Sequence, residues 1–207
     1  MRGKFITMEG GEGAGKSTMM DRVAAWLENT GNRVVTTREP GGTALAEKLR
    51  EVLLDRENSI LSGQAELLLL FAARAQHLDE LIRPSLDRGD WVLCDRFTDA
   101  TWAYQGGGRD LPLQDIETLE NLVHGDLQPD LTLLLDLPVE QGLKRAGERS
   151  QADRFEQESK TFFEKVRNAY LQRARLSPDR FAVIDASGSM DQVWSQIATV
   201  LADRLGP

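Results

Sequence analysis

The chain has 207 residues, with 25 Lys+Arg against 33 Asp+Glu and a formal net charge of −8. That length fits one α/β domain with a sizeable core, and the acidic balance argues against a non-specific grip on nucleic acid or anionic lipid. The longest apolar run, Leu67 to Ala73, is far shorter than the ~20 residues of a membrane span, and the start MRGKFITMEG lacks a signal-peptide core, so a soluble, cytoplasmic protein is expected.

Taken in chain order, short runs rich in Val, Ile and Leu predict strands at Phe5 to Met8, Arg33 to Thr37, Trp91 to Cys94, Leu131 to Leu135 and Phe181 to Ile184. Helical periodicity fills the gaps at Ser17 to Asn29, Ala44 to Leu54, Gly63 to Arg83, Leu113 to His124, Val139 to Ala146, Ser159 to Ala174 and Met190 to Leu205. The last helix carries a capping box, Ser189 with Gln192 three residues on. This βαβ order predicts a parallel, doubly wound sheet with ligands at the carboxyl ends of its strands, in a single domain spanning 1–207. The Gly-spotted, charge-rich stretch KRAGERSQADRFE, about 144–156, is expected to be a mobile surface piece. Cys94, the single cysteine, lies in the apolar run WVLCD and is expected to be a buried structural thiol. His77 and His124 are expected to be surface or satisfied polar residues rather than metal ligands.

Residues 9 to 18, EGGEGAGKST, contain Gly10, Gly15, Lys16 and Ser17 in the spacing G-x-x-x-x-G-K-[ST], between a predicted strand and a predicted helix. Backbone N–H groups of such a loop curl around phosphates at a helix N-terminus, Lys16 adds a point charge, and Ser17 can reach Mg²⁺. A guanine-binding switch would need an Asn-Lys-x-Asp clamp, which the chain lacks; Asp185-Ala-Ser-Gly188 follows the last strand and reads as a helix-entry turn. A transferase, unlike a switch or motor, needs a second set of binding groups. Candidates are Asp95 for Mg²⁺, Arg96 and Arg38 at strand ends, Phe71 with Arg74 three residues on, and Thr101, Tyr104 and Gln105 on one face of a short helix closed by Gly106. A surface salt bridge is the plain alternative for either arginine, and core packing for Phe71.

The combination EGGEGAGKST, TREPGGT, LLFAARAQH, DRFTDATWAYQGGGR and DRFE resembles the thymidylate kinase family, in particular its bacterial members, from Lys4 to about Leu176. The resemblance implies a P-loop three-layer α/β fold with a five-stranded parallel sheet flanked by helices. It also implies Mg²⁺-dependent transfer of the γ-phosphoryl of ATP to dTMP, and a homodimer. Carried over, the residues around ATP would be Gly10, Gly11, Glu12, Gly13, Ala14, Gly15, Lys16, Ser17, Thr18 and Arg145. Phe71 would stack on thymine, Arg74 would meet its O4 edge, and Thr101 and Gln105 would address the pyrimidine. Arg38 and Arg96 would hold the acceptor phosphate, Tyr104 would crowd the 2′ position, and Glu12 would lie near the 3′-hydroxyl. With Gly13 in the loop, the catalytic arginine would come from a mobile lid, about 144–156, as Arg149, with Arg145 and Arg154 as neighbours. Kinases for another nucleotide or a deoxynucleoside, and an ATP-dependent switch without transferase activity, are the alternatives.

Overall fold

The computed structural model describes residues 2–55, 61–147, 154–156 and 158–206. Five parallel strands, β1 (Phe5–Gly10), β2 (Val34–Arg38), β3 (Trp91–Asp95), β4 (Leu131–Asp136) and β5 (Phe181–Asp185), lie in the order β2-β3-β1-β4-β5. The composition of each strand fits its place. Central β1 is buried throughout, whereas edge strand β2, VVTTR, is only partly covered and tolerates its polar residues. Within the sheet, Thr7 and Thr132 are paired across β1 and β4, and their hydroxyls hydrogen-bond to each other at 2.9 Å, which removes the penalty of burying them.

One layer of the core joins the sheet to α1 (Lys16–Asn29) and α9 (Met190–Leu205) through Met19, Val23, Leu27, Val193, Ile197 and Leu201. Ser189 accepts from Gln192 N at 3.3 Å, and the Gln192 side chain accepts from Ser189 N at 2.8 Å, the reciprocal cap that the sequence predicts. The helices α2 (Ala44–Leu54), α3 (Gly63–His77), α6 (Leu113–His124) and α7 (Val139–Gly147) match their predicted ranges closely or end earlier, and α8 (Lys160–Leu176) carries Phe162, Phe163, Val166 and Tyr170 into a second apolar cluster.

Two helices depart from expectation. The run predicted as one α-helix to Arg83 widens into a π-helical stretch over Leu78–Ile82 and then continues as α4 (Arg83–Asp87). Pro84 has no N–H to return to the preceding turn, and the wider turn just ahead of it accommodates its ring. The short helix α5 (Thr98–Thr101) does not close at Gly106 but passes into a π-helical stretch, Trp102–Gly108, in which Arg109 N bonds five residues back to Tyr104 O at 2.9 Å. The glycines here serve packing rather than termination. A Cβ on Gly107 would stand 2.6 Å from the Ala169 Cβ, and one on Gly108 would stand 2.5 Å from the Phe162 ring, so α8 could not approach. Cys94 is buried as expected. Both histidines are buried as well, which rules out the surface reading and leaves the hydrogen-bonded one: His77 bonds Thr37 and Glu39, and His124 bonds Thr98.

Candidate active site

The carboxyl ends of neighbouring β1 and β3 open onto a cavity of about 310 Å³. One part of its wall is the loop Glu12–Ser17. Gly15 takes the left-handed conformation, φ 87°, that turns the chain from loop into α1, and Lys16 folds back to donate to the carbonyls of Gly10 and Gly11, each at 3.1 Å. Burial, reinforced by Arg96, lowers the Lys16 pKa, against the pull of Glu12, Asp95 and Glu9. Gly13 has φ 68°, and a Cβ there would fall 2.1 Å from Gly142 O, so α7 packs directly on the loop and position 13 has no room for a side chain. Gly10, Gly11 and Thr18 do not line the cavity.

From β3 come Asp95 and Arg96. Arg96 adopts φ 68°, a left-handed conformation that costs a non-glycine residue strain, and its amide is tied to Met8 O at 3.0 Å. The strain aims its guanidinium into the cleft, where it donates to Glu12 Oε1 at 2.8 Å and to the Tyr170 hydroxyl at 3.2 Å. Tyr104 donates to the same Glu12 oxygen at 2.8 Å, with its ring 4.9 Å from the Arg96 guanidinium carbon. Burial would raise the Glu12 pKa, but Arg96 and Lys16 override it and hold the carboxyl below its usual range. Behind them, Glu9 accepts from Phe97 N and from Tyr170, both at 2.7 Å. Its burial, then the nearby Asp99 charge, push its pKa up to about 8 despite Arg96.

Another part of the wall comes from separate elements. Arg74 is buried, with Nε donating to Glu39 at 2.7 Å and Nη2 to Thr101 at 3.0 Å; Glu39 is held in turn by His77 Nδ1 at 3.0 Å. Arg74 Nη1 is buried without a hydrogen-bond partner among the described residues, and Arg74 lines the cavity. Asp95 Oδ1 is likewise buried and unpartnered, beside Lys16 and Ser17 on the cavity wall. A lone carboxylate and a hydroxyl suit Mg²⁺, which keeps most of its shell as water and substrate phosphate; no cluster of three or more potential ligands occurs among the described residues.

Several expected residues are thus together: Glu12 to Ser17, Arg74, Asp95, Arg96, Thr101, Tyr104 and Gln105 all line one cavity. Others are not. Phe71 is 2% exposed, packs with Leu67 and Ile116, and is covered by the Arg74 guanidinium at 4.7 Å and by the parallel His124 ring at 6.4 Å. Leu70, one residue earlier, occupies the wall instead. Arg38 is 54% exposed and pairs with Glu47 at 2.9 Å, outside the cavity, because the loop after β2 turns Glu39 and Pro40 inward in its place. Arg50 of α2, which sequence reasoning missed, lines the cleft and donates to Pro40 O at 2.8 Å; its only signal was a position seven residues beyond Thr43, one face of the same helix. Arg145 donates to the carbonyls of Ala186 and Ser187 at 2.9 and 3.1 Å, joining α7 to the turn after β5. Arg149 lies outside the described residues, as does part of the expected lid.

A family model described as thymidylate kinase matches residues 8–197. Among curated proteins, a thymidylate kinase of Pseudomonas syringae is 58% identical over 205 residues, covering 99% of this chain and 98% of that protein. One of Alcanivorax borkumensis is 54% identical over 203 residues, covering 98% of each. The crystal structure of thymidylate kinase from Ehrlichia chaffeensis superposes with a TM-score of 0.79 at 33% identity, covering 97% of this chain and 99% of that one.

Proposed function

The chain belongs to the thymidylate kinase family and is a phosphotransferase that converts dTMP to dTDP with ATP as donor; we propose the division of labour among its residues that follows. The observation that carries the reading is that a phosphate-binding loop and a second set of polar groups, Arg74, Thr101 and Gln105, line one cavity. A nucleotide switch has no use for the second set. The loop N–H groups and Lys16 hold the donor phosphates, while Arg96 and Arg50 hold the acceptor phosphate. Arg74 Nη1 donates to a carbonyl edge of the base, Leu70 packs on its ring, and Gln105 and Thr101 flank it. Glu12, fixed between Arg96 and Tyr104, accepts from the 3′-hydroxyl, and Tyr104 crowds the 2′ position. Ser17 and Asp95 would hold Mg²⁺, which would supply charge neutralisation for the transferring phosphoryl group.

The acceptor phosphate is already a nucleophile, so positioning and charge neutralisation carry the catalysis and no general base is required. Arg149 supplies the remaining cation. The absence of space at Gly13 supports a source outside the loop. Residues 144–156 form the lid of a single domain spanning 1–207. No helix among the described residues is long and apolar enough to cross a membrane, and a cytoplasmic location, without nucleic acid or membrane as partner, fits the acidic chain. Exposed Leu45, Leu68 and Leu122, on α2, α3 and α6, of which α3 packs against the other two, support a homodimer. A coupled assay offering dTMP, deoxythymidine, UMP or no acceptor tests the activity. Turnover is expected with dTMP alone; equal turnover without acceptor would establish a hydrolytic switch, and preference for deoxythymidine a nucleoside kinase.

A further inference from the structure

We propose that Glu66 is a positioning residue that joins the lid to the base pocket, so that dTMP and ATP favour each other's binding through one buried carboxylate. Glu66 is 0% exposed and lies in the first turn of α3, outside the cavity wall. Its Oε1 accepts from Gln105 Nε2 at 2.7 Å and from Arg109 Nε at 2.9 Å; its Oε2 accepts from Arg154 Nη2 at 2.5 Å. Gln105 lines the cavity, as do Phe155 and Glu156, the two residues that follow Arg154. Arg154 also donates to Leu53 O at 2.9 Å and lies 4.5 Å from the centre of the Phe155 ring. Phe155 itself lines the cavity and meets Tyr104 edge-on at 6.0 Å. Arg109 reaches Glu158 at 2.7 Å, fastening the chain beyond the lid to the same site.

The coupling follows from the cost of a buried charge. With Arg154 in place, Glu66 has two guanidinium partners and one amide. With residues 154–156 withdrawn, Arg109 and Gln105 must compensate the carboxylate alone, and Gln105 is drawn from the geometry that presents it to the base. The two conformations therefore differ in contact energy at Gln105, which is what allows a ligand on either side to favour the same state. This inference rests on the assignment of dTMP to the Gln105 side of the cavity.

The test is calorimetric titration of dTMP with and without saturating Mg²⁺ and adenylyl imidodiphosphate. The wild-type protein is expected to bind dTMP at least about fivefold more tightly with the analogue present. Arg154→Met is expected to bring that ratio to about one, with dTMP affinity at the lower, lid-withdrawn level in both conditions. Glu66→Gln is expected to lose the ratio and weaken dTMP binding in both conditions. A merely structural ion pair would lower the melting temperature of either variant without changing the ratio. A wild-type ratio near one, or an Arg154→Met protein with the wild-type ratio, would overturn the proposal, and Arg154→Met decides the matter alone if Glu66→Gln does not fold. If dTMP is phosphorylated but shows no ratio, the coupling fails and the substrate assignment stands; if dTMP neither binds nor reacts, the substrate assignment fails first.

Discussion

The two sides of the cleft are built in different ways. On the proposed donor side, Glu12 to Ser17 are contiguous, and their glycines, lysine and helix N-terminus are brought together by local geometry. On the acceptor side, Leu70, Arg74, Arg96, Thr101 and Gln105 come from α3, the end of β3, α5 and the π-helical stretch, and their alignment depends on buried partners such as Glu39, His77 and Glu66. A site of the first kind tolerates loss of a side chain without loss of fold. In the second kind, function and stability share residues, and a substitution has to be read on both.

The sharpest way to break this contrast is Phe71→Ala. If Phe71 belongs to the frame rather than to the pocket, truncation should cost about 3–5 kcal/mol of stability, the usual loss for a buried aromatic, while the folded fraction keeps dTMP affinity within about threefold. Urea denaturation alongside calorimetry checks both quantities. A protein of unchanged stability that no longer binds dTMP would return Phe71 to the cavity wall.

Lys16→Ala should show the opposite profile. Among the described residues its ammonium hydrogen-bonds only to the two loop carbonyls, and burial of the charge offsets the attraction of its acidic neighbours, so the melting temperature should move little. The rate constant for transfer should fall about 10²–10³-fold, the scale of losing one preorganised charge donor at the transition state. Near-normal turnover in a steady-state assay would remove the lysine from the donor side.

A smaller effect sharpens the comparison where the two sides meet, at Glu9. Its pKa is raised from 4.5 to about 8 by burial, so the folded protein holds a proton that the unfolded chain has released between those values. Stability should therefore fall as pH rises through that window, by at most about 1.4 kcal/mol per pH unit, and level off above it. Glu9→Gln should flatten the decline. Comparing the two proteins isolates this carboxylate from Lys16, whose depressed pKa acts in the opposite sense. Denaturation midpoints at pH 6, 7 and 8 that fall in parallel for both would exclude Glu9 as the source.

The sequence by itself determined the strands and nearly all the helices, the phosphate loop, the capping box at Ser189 and the family. Each of these is encoded in neighbouring residues, through apolar periodicity, glycines at turns or a fixed motif spacing. It did not determine which side of α3 faces the ligand. At about 100° per residue, Leu70 and Phe71 lie roughly 40° and 60° to either side of Arg74, so both share its face, and the larger ring was favoured by chemistry rather than by angle. Packing against Leu67, Ile116 and His124 buries Phe71 and leaves Leu70 on the cavity wall, a placement that apolar periodicity does not specify. Tertiary structure also put Arg50 on the cavity wall and Arg38 outside it, because the loop after β2 commits Arg38 to Glu47 and brings the Pro40 carbonyl to Arg50. It alone showed that Gln105, Arg109 and Arg154, the last nearly fifty residues on in the chain, meet at Glu66. No local pattern records such a meeting, since the burial that makes a carboxylate collect its cations exists only after the chain has folded.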